Sequence, residues 1–464
     1  MQTKPIYAEP PSRLSSQPLT KKKKKPKKNF RWLLIGLGLG AVAAASATAG
    51  AILAVSLSTA PLLQSQLSAD QASAFNQEAT VSYQNLKLPI LNRPVNLLIL
   101  GTKVLTSETD PAFSDELGYH ALVNSFDGLT DTMLLLRFEP TQKKLVALSI
   151  PRDTQAEIEG YGLRKINEAN HYGGPALAAE SVSDLLGGVP IDRYVRINVQ
   201  GIEKLIDALG GVEIYVPRDM KYTDHSQHLY IDLKEGHQRL TGEKAVQFLR
   251  FRYDQYGDIG RVQRQQSLIR AVVEQTLKPQ TLLQLPKVLS VIQSHVDTNL
   301  TVEELLALAG LASQTERSNV QMLMLPGRFS GNGRNAVSYW LPSDNAIEKM
   351  AVQYLGHGYQ QDYDDGFSRP LRIAIQDSTN DPDAVQAAVN FLREAGYRNV
   401  YVASDWSEPL KTTRLIAQKG DGMSADELRL ALGLGEVLVE STGNLSSDVT
   451  IQLGRDWQQA IPRN

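Results

Sequence analysis

The hydrophobic pattern changes character twice along this chain. From Met1 to Arg31 there is no apolar periodicity; the segment is rich in Pro, Lys and Ser and carries the block KKKKKPKK. Such a segment cannot bury enough surface to offset its ordering entropy, so residues 1–31 read as a disordered basic tail. From Trp32 to Ala69 no charged residue occurs, and Leu33 to Leu57 is dominated by Leu, Ile, Val, Ala and Gly. About 20 apolar residues in a helix cross a bilayer core, and only a helix satisfies its own backbone there. Residues 32–58 are therefore expected to form a transmembrane helix. The lysine block on its N-terminal side puts Met1 in the cytoplasm and the rest of the chain outside the cytoplasmic membrane. The run exceeds the apolar region of a cleavable signal peptide, about 7–15 residues, which favours an anchor. Residues 59–92 are more polar and read as a stalk or accessory segment.

Beyond residue 92 the pattern becomes that of a layered α/β protein. NLLIL (Asn96 to Leu100), MLLLRF (Met133 to Phe138) and KLVALSI (Lys144 to Ile150) are continuous apolar runs of strand length. Helices are predicted over Ala176 to Leu186, Gly201 to Leu209, Thr241 to Phe248 and Val262 to Leu277. They alternate with strands at Tyr194 to Val199, Val212 to Val216 and within Asn319 to Gly327. Strands alternating with helices argue for an α/β domain, here residues 93–327. A Tyr- and Gly-rich stretch, Gly356 to Ser368, marks a linker spanning 328–369. A second unit, 370–464, opens with the strand LRIAIQD. It continues with a helix over Pro382 to Ala395 closed by Gly396, the strand NVYVAS, a helix over Ser424 to Leu432, and the strands VLVES and DVTIQLG.

Charge changes the picture less than the net value suggests. The first 31 residues hold ten basic side chains against one acid, +9, so an overall −2 leaves −11 on the remainder. A mildly acidic body gives no support to nucleic-acid binding. With no cysteine in the chain, thiol nucleophiles, iron–sulfur clusters and cysteine zinc sites are excluded. His225 and His228 are three apart, but DHSQH reads as a solvated loop before it reads as a metal site. There is no GxxxxGK[ST], GxSxG or HExxH motif.

Three clusters carry candidate chemistry. SIPRDT (Ser149 to Thr154) follows a strand C-terminus, where α/β sheets place ligands, and presents Arg152 beside Asp153. RFRYDQYGDIGRVQRQQ (Arg250 to Gln266) holds four arginines. Arg250 and Arg252 share a side if that segment is extended. Arg261 and Arg264 share a helix face, with Gln265 next to it. Arginines grouped in this way suit bidentate contact with phosphate oxygens. GLTDTM (Gly128 to Met133) places Asp131 just before a strand, where a lone carboxylate can hold Mg²⁺ if phosphates supply the other ligands. Taken alone, each cluster also has an ordinary structural reading as a turn, an ion-pair network or a cap. Together they indicate a phosphate-binding α/β domain.

The order of these clusters resembles the LytR–CpsA–Psr family of bacterial wall-polymer ligases. The resemblance rests on NLLILG, GLTDTMLLLRFEP, KKLVALSIPRDT, KINEANHYGG, IDRYVRINVQGIEKLIDALGGVEIYVP, LKEGHQRLTGEKAVQFLRFRYD and DIGRVQRQQ. The second unit resembles, more weakly, the LytR C-terminal domain. The resemblance implies a three-layer α/β/α domain with a mixed central sheet and a smaller C-terminal α/β domain, beside the N-terminal transmembrane helix. It implies a phosphotransferase that moves a glycan from a polyprenyl-pyrophosphate carrier to peptidoglycan, with membrane lipid as a further partner. Asp131 would hold Mg²⁺, and Arg152, Arg250, Arg252, Arg261, Arg264 and Gln265 would contact the pyrophosphate. Arg152 and Arg261 would also act in catalysis, with Asp153 as base or orienting group. The family's usual acid two residues after the first strand's glycine is here Lys103, and a usual arginine before the TDT acid is Leu129. Either Lys103 is a pyrophosphate contact that takes over part of the metal's charge, or it is a loop lysine without a role and the metal is held by fewer ligands. A non-catalytic lipid-pyrophosphate scaffold and a pyrophosphohydrolase are the alternatives.

Overall fold

Six strands form the central sheet of the computed structural model, which describes residues 62–82, 89–103, 126–225, 229–251, 257–330, 339–358, 371–444 and 446–457. They are β1 (Val95–Lys103), β2 (Leu129–Glu139), β3 (Lys144–Ile150), β4 (Arg193–Asn198), β5 (Val296–Thr298) and β6 (Val320–Met324), in spatial order β5-β4-β1-β2-β3-β6. The sheet is mixed: β1 runs parallel to β4, β3 parallel to β6, and the remaining pairs are antiparallel. The continuous apolar runs exist because both faces are covered. Leu98, Leu100, Leu135, Val146 and Leu148 enter one core, while Leu97, Leu134, Leu136, Leu145 and Ala147 enter another. Each such leucine contributes about 1.5–3 kcal/mol by leaving water.

Helix α1 (Ala169–Leu185) covers the first face through Ala176, Ala179 and Val182. Its regular part starts where the sequence predicts, because Gly173 and Gly174 interrupt it before Pro175. Helices α2 (Val199–Ala208), α3 (Gly242–Arg250), α4 (Gly257–Thr276), α5 (Leu285–His295) and α6 (Val302–Gln314) follow in the chain. α4 and α6 cover the second face through Val273, Leu308 and Leu311. The result is the expected three-layer α/β/α arrangement.

Two segments depart from the sequence expectation. The part of the stalk that is described is built into the domain: Phe75 is buried in the first core, and Ser65 donates its backbone N–H to buried Asp297 at 2.7 Å. The residues after 327 do not begin a linker. Gly327–Phe329 pairs with Trp340–Pro342, and α7 (Asp344–Met350) with the turn to Leu355 buries Ile347, Met350, Tyr354 and Leu355 in the same core. The apolar spacing there is short and broken by polar residues, so its burial is set by tertiary contacts. Among the described residues no helix is long and apolar enough to cross a membrane. The whole of the expected span, residues 32–58, lies outside them.

The C-terminal unit has a second sheet of β7 (Arg372–Asp377), β8 (Asn399–Val402), β9 (Arg414–Ala417), β10 (Glu436–Leu438) and β11 (Val449–Leu453), in spatial order β8-β7-β11-β9-β10. α8 (Pro382–Glu394) and α9 (Gly422–Leu432) pack on it. The two sheets meet at β6, where Met322 donates to the Val439 carbonyl at 2.8 Å. Fully buried Glu440 lies between Arg270 of α4, at 3.3 Å, and Arg317.

Candidate functional site

The site begins at an irregularity in the sheet. Gly101 pairs with Thr132 and Thr102 pairs with Thr130, so the register with β1 steps over Asp131, which forms a bulge. A bulge re-aims its side chain relative to the flanking residues. Asp131 therefore lies within β2, and not before it as the sequence pattern implied. The register needs a small residue opposite, since a Cβ on Gly101 would come to 3.0 Å from that of Thr132. The approach to β2 is fixed by Asn170 of α1, which donates to the Gly128 carbonyl at 2.8 Å.

At the end of β3 the chain turns at Pro151. Its carbonyl accepts both the backbone N–H and the hydroxyl of Thr154, at 3.0 and 2.6 Å. That turn presents Arg152 and Asp153. A hairpin, Gln155–Ile158 with Gly162–Lys165, then brings Lys165 back beside them. Arg152 donates to Asp131 at 2.7 Å and to Asp153 at 3.3 Å, and Lys165 donates to Asp153 at 2.7 Å. Gln265 of α4 closes the group by donating to the Asp131 carbonyl at 3.3 Å. Burial works against the Arg152 charge, but the Asp131 and Asp153 carboxylates outweigh it and push its pKa up. The four charged side chains keep 23–27% exposure, so a ligand in solvent can reach them.

The remaining expected contacts fall differently. Arg250 is the last residue of α3, which replaces the extended pairing expected with Arg252; Arg252 lies outside the described residues. Arg261 is in the first turns of α4, its side chain outside the description. Arg264 is 6% exposed and donates to the Phe251 carbonyl at 2.6 Å, which commits it to holding the end of α3 instead of a pyrophosphate. Adjacent helical residues point about 100° apart, so Gln265 at the site and Arg264 away from it are two outcomes of one helix. Lys103 ends β1 opposite Leu129, two residues before Asp131. His225 contacts the Tyr230 hydroxyl at 3.4 Å, and among the described residues no three His, Asp or Glu side chains are grouped to hold a metal. Asp131 alone is not a protein-built metal site; its carboxylate fits Mg²⁺ only where phosphate oxygens complete the shell. Sequence reasoning missed Lys165. The available signal was the hairpin spacing, which pairs Gln155 with Lys165 across the strands.

The geometry joins a carboxylate, an arginine, a second carboxylate and a lysine in one line beside a bulged strand. The profile described as the LytR_cpsA_psr family matches residues 61–354. The chain belongs to that family. Residues 370–457 match the profile described as LytR cell envelope-related transcriptional attenuator. The regulatory protein MsrR of Staphylococcus aureus (strain COL) is 36% identical over 173 residues, 37% of this chain and 51% of that protein. The chain thus spans about half the length of that curated relative. The polyisoprenyl-teichoic acid–peptidoglycan teichoic acid transferase TagU of Oceanobacillus iheyensis is 30% identical over 241 residues, 50% of this chain and 72% of that protein. The crystal structure of B. subtilis TagV is 25% identical, with a TM-score of 0.47 over 57% of this chain and 99% of that chain.

Proposed function

We propose that this protein transfers a glycan from a polyprenyl-pyrophosphate carrier to peptidoglycan, outside the cytoplasmic membrane to which residues 32–58 anchor it. The observation that carries the reading is the line Asp131–Arg152–Asp153–Lys165, partly exposed to solvent, with Gln265 on the bulge. Its four charges cancel, so the positive charge for a diphosphate comes from Arg152 exchanging Asp131 for phosphate oxygens, with Arg250, Arg252, Arg261 and Lys103 as further contacts. The relative named as a teichoic acid transferase supports the same reaction class.

Such transfer needs mainly positioning and neutralisation of charge on non-bridging oxygens. An acceptor hydroxyl oxygen bonds to the sugar-proximal phosphorus, and the bond from that phosphorus to the bridging oxygen breaks. Polyprenyl phosphate leaves and the hydroxyl proton passes to solvent. Asp153, held between Arg152 and Lys165, serves to aim Arg152. Where Mg²⁺ binds, Asp131 would hold it together with phosphate oxygens, and the ion would neutralise charge there.

The test measures polyprenyl phosphate release from a synthetic polyprenyl-pyrophosphate-linked glycan, with and without peptidoglycan. Glycan should appear on the acceptor. Arg152→Lys keeps the charge but loses the fork, and should lower kcat/KM about tenfold or more, about 1.4 kcal/mol or above. Release without need of acceptor would make the protein a pyrophosphohydrolase. Tight binding with no release would make it a scaffold.

A further inference from the structure

α4 has a second side. Opposite Gln265 it faces a cleft of about 790 Å³ between the family domain and the C-terminal unit. That volume falls within the range of about 300–1,000 Å³ typical of sites for small ligands. One wall carries Tyr215 and His237 of two antiparallel strands, their rings edge-on at 5.0 Å. The other carries Trp406 with the exposed Ser404, Ser407 and Ser446 of the C-terminal unit.

The chemistry of the lining excludes most ligand classes. Five arginines and five acids line the cleft, so it carries no net charge. Several of them are spent on one another: Arg414 lies 3.7 Å from Glu408 and 3.3 Å from Glu436, and Arg317 lies 3.1 Å from Glu274. A free anion or a nucleic acid would need surplus positive charge. A lipid chain would need a continuous apolar wall, and here arginines, carboxylates and hydroxyls interrupt it. What fits is a neutral molecule with many hydroxyls and some apolar C–H surface. Aromatic rings cover such surface while hydroxyls and carboxylates satisfy its donors.

We propose that the cleft between the two units is a saccharide-binding site, distinct from the phosphate-contacting cluster on the other side of α4. A helix with its side chains is about 10–12 Å across, so a saccharide held here lies beside the reacting groups without touching them. The site retains a stretch of neutral glycan while another part of a polymer is worked on. It exists only when the C-terminal unit is docked, because each wall belongs to a different unit.

Saturation-transfer NMR and calorimetry on the full chain in detergent test this with chitotetraose, a neutral tetrasaccharide, and with inorganic pyrophosphate. The wild type should bind the tetrasaccharide, and pyrophosphate should not displace it. Ser407→Trp, which fills the cleft from an exposed position, and Trp406→Ala, which removes a wall, should each weaken tetrasaccharide binding tenfold or more. Both should leave pyrophosphate binding unchanged, and Ser407→Trp should leave the melting temperature unchanged, while Arg152→Lys should do the reverse to the two ligands. A wild type that ignores the tetrasaccharide, a folded Ser407→Trp that binds it normally, or displacement by pyrophosphate would overturn the proposal.

Discussion

Glu440 offers the sharpest test of how the two units are held together. Its side chain is fully buried and accepts from Arg317, from Arg270 at 3.3 Å and from Thr442 at 3.2 Å. Removing one partner from a buried ion pair costs about 3–5 kcal/mol, because the remaining charge stays uncompensated. In Glu440→Ala the abandoned groups are Arg270 and Arg317, whose side chains retain 16% and 34% exposure. Both can recover water, so the cost should lie at the low end, about 3 kcal/mol. At about 2 °C per kcal/mol for a unit of this size, the melting temperature should fall by about 6 °C. The effect also has a pH signature. Burial opposes ionisation of Glu440, but the charges of Arg270 and Arg317 and the hydrogen bonds from Arg317 and Thr442 outweigh it, so its folded pKa lies below the ordinary carboxylate value. A depressed folded pKa gives stability that is complete above the unfolded value, about 4.3, and is lost as pH falls through the folded pKa. Urea unfolding followed by tryptophan fluorescence should therefore show the full deficit at pH 7 and a smaller one below about pH 4. A deficit under about 0.5 kcal/mol at pH 7, the scatter of ordinary surface substitutions, would refute the reasoning. So would a deficit that does not change with acidification.

Two other expectations concern Lys103 and the N-terminal segment. If Lys103 carries part of the metal's charge, turnover by the wild type should depend weakly on Mg²⁺ and turnover by Lys103→Asp strongly; equal, strong dependence in both would remove that role. If residues 32–58 are an uncleaved anchor, a reporter active only outside the cytoplasm and fused after Ala69 should give signal, and the mature protein should retain Lys21 to Lys25. Sequencing that finds an N-terminus near Ala49 would rule the anchor out.

The sheet was legible because burial on both faces leaves a continuous apolar run, as in Lys144 to Ile150, which a strand of that length explains. β5 and β9 were not. β5 is three residues long, and its central Asp297 is buried only because Arg196, 101 positions away, donates to it at 2.6 Å. No local pattern signals such a pairing. The same limit applies within the site. SIPRDT pointed to Arg152 and Asp153, because the turn at Pro151 is encoded by neighbouring residues. The i, i+3 spacing placed Arg261 and Arg264 on one helical face, but which side of α4 meets Asp131 depends on how the helix packs. Trp340, Tyr354 and their neighbours read as linker in the sequence because a three-residue strand and a helix as short as α7 leave too little periodicity to show their buried side.

The bulged residue in β2 has an evolutionary consequence. Deleting a residue from a buried strand ordinarily turns every later side chain to the wrong face. At Asp131 the opposite holds: without it, Thr130 and Thr132 would continue one uninterrupted ladder against Thr102 and Gly101. A single lost codon would thus leave a sound sheet with no carboxylate at Arg152. A chain lacking Asp131 should melt close to the wild type while its binding of pyrophosphate and Mg²⁺ changes. In a lineage under relaxed selection, this position provides a short route from a working site to an inert relative of the same shape.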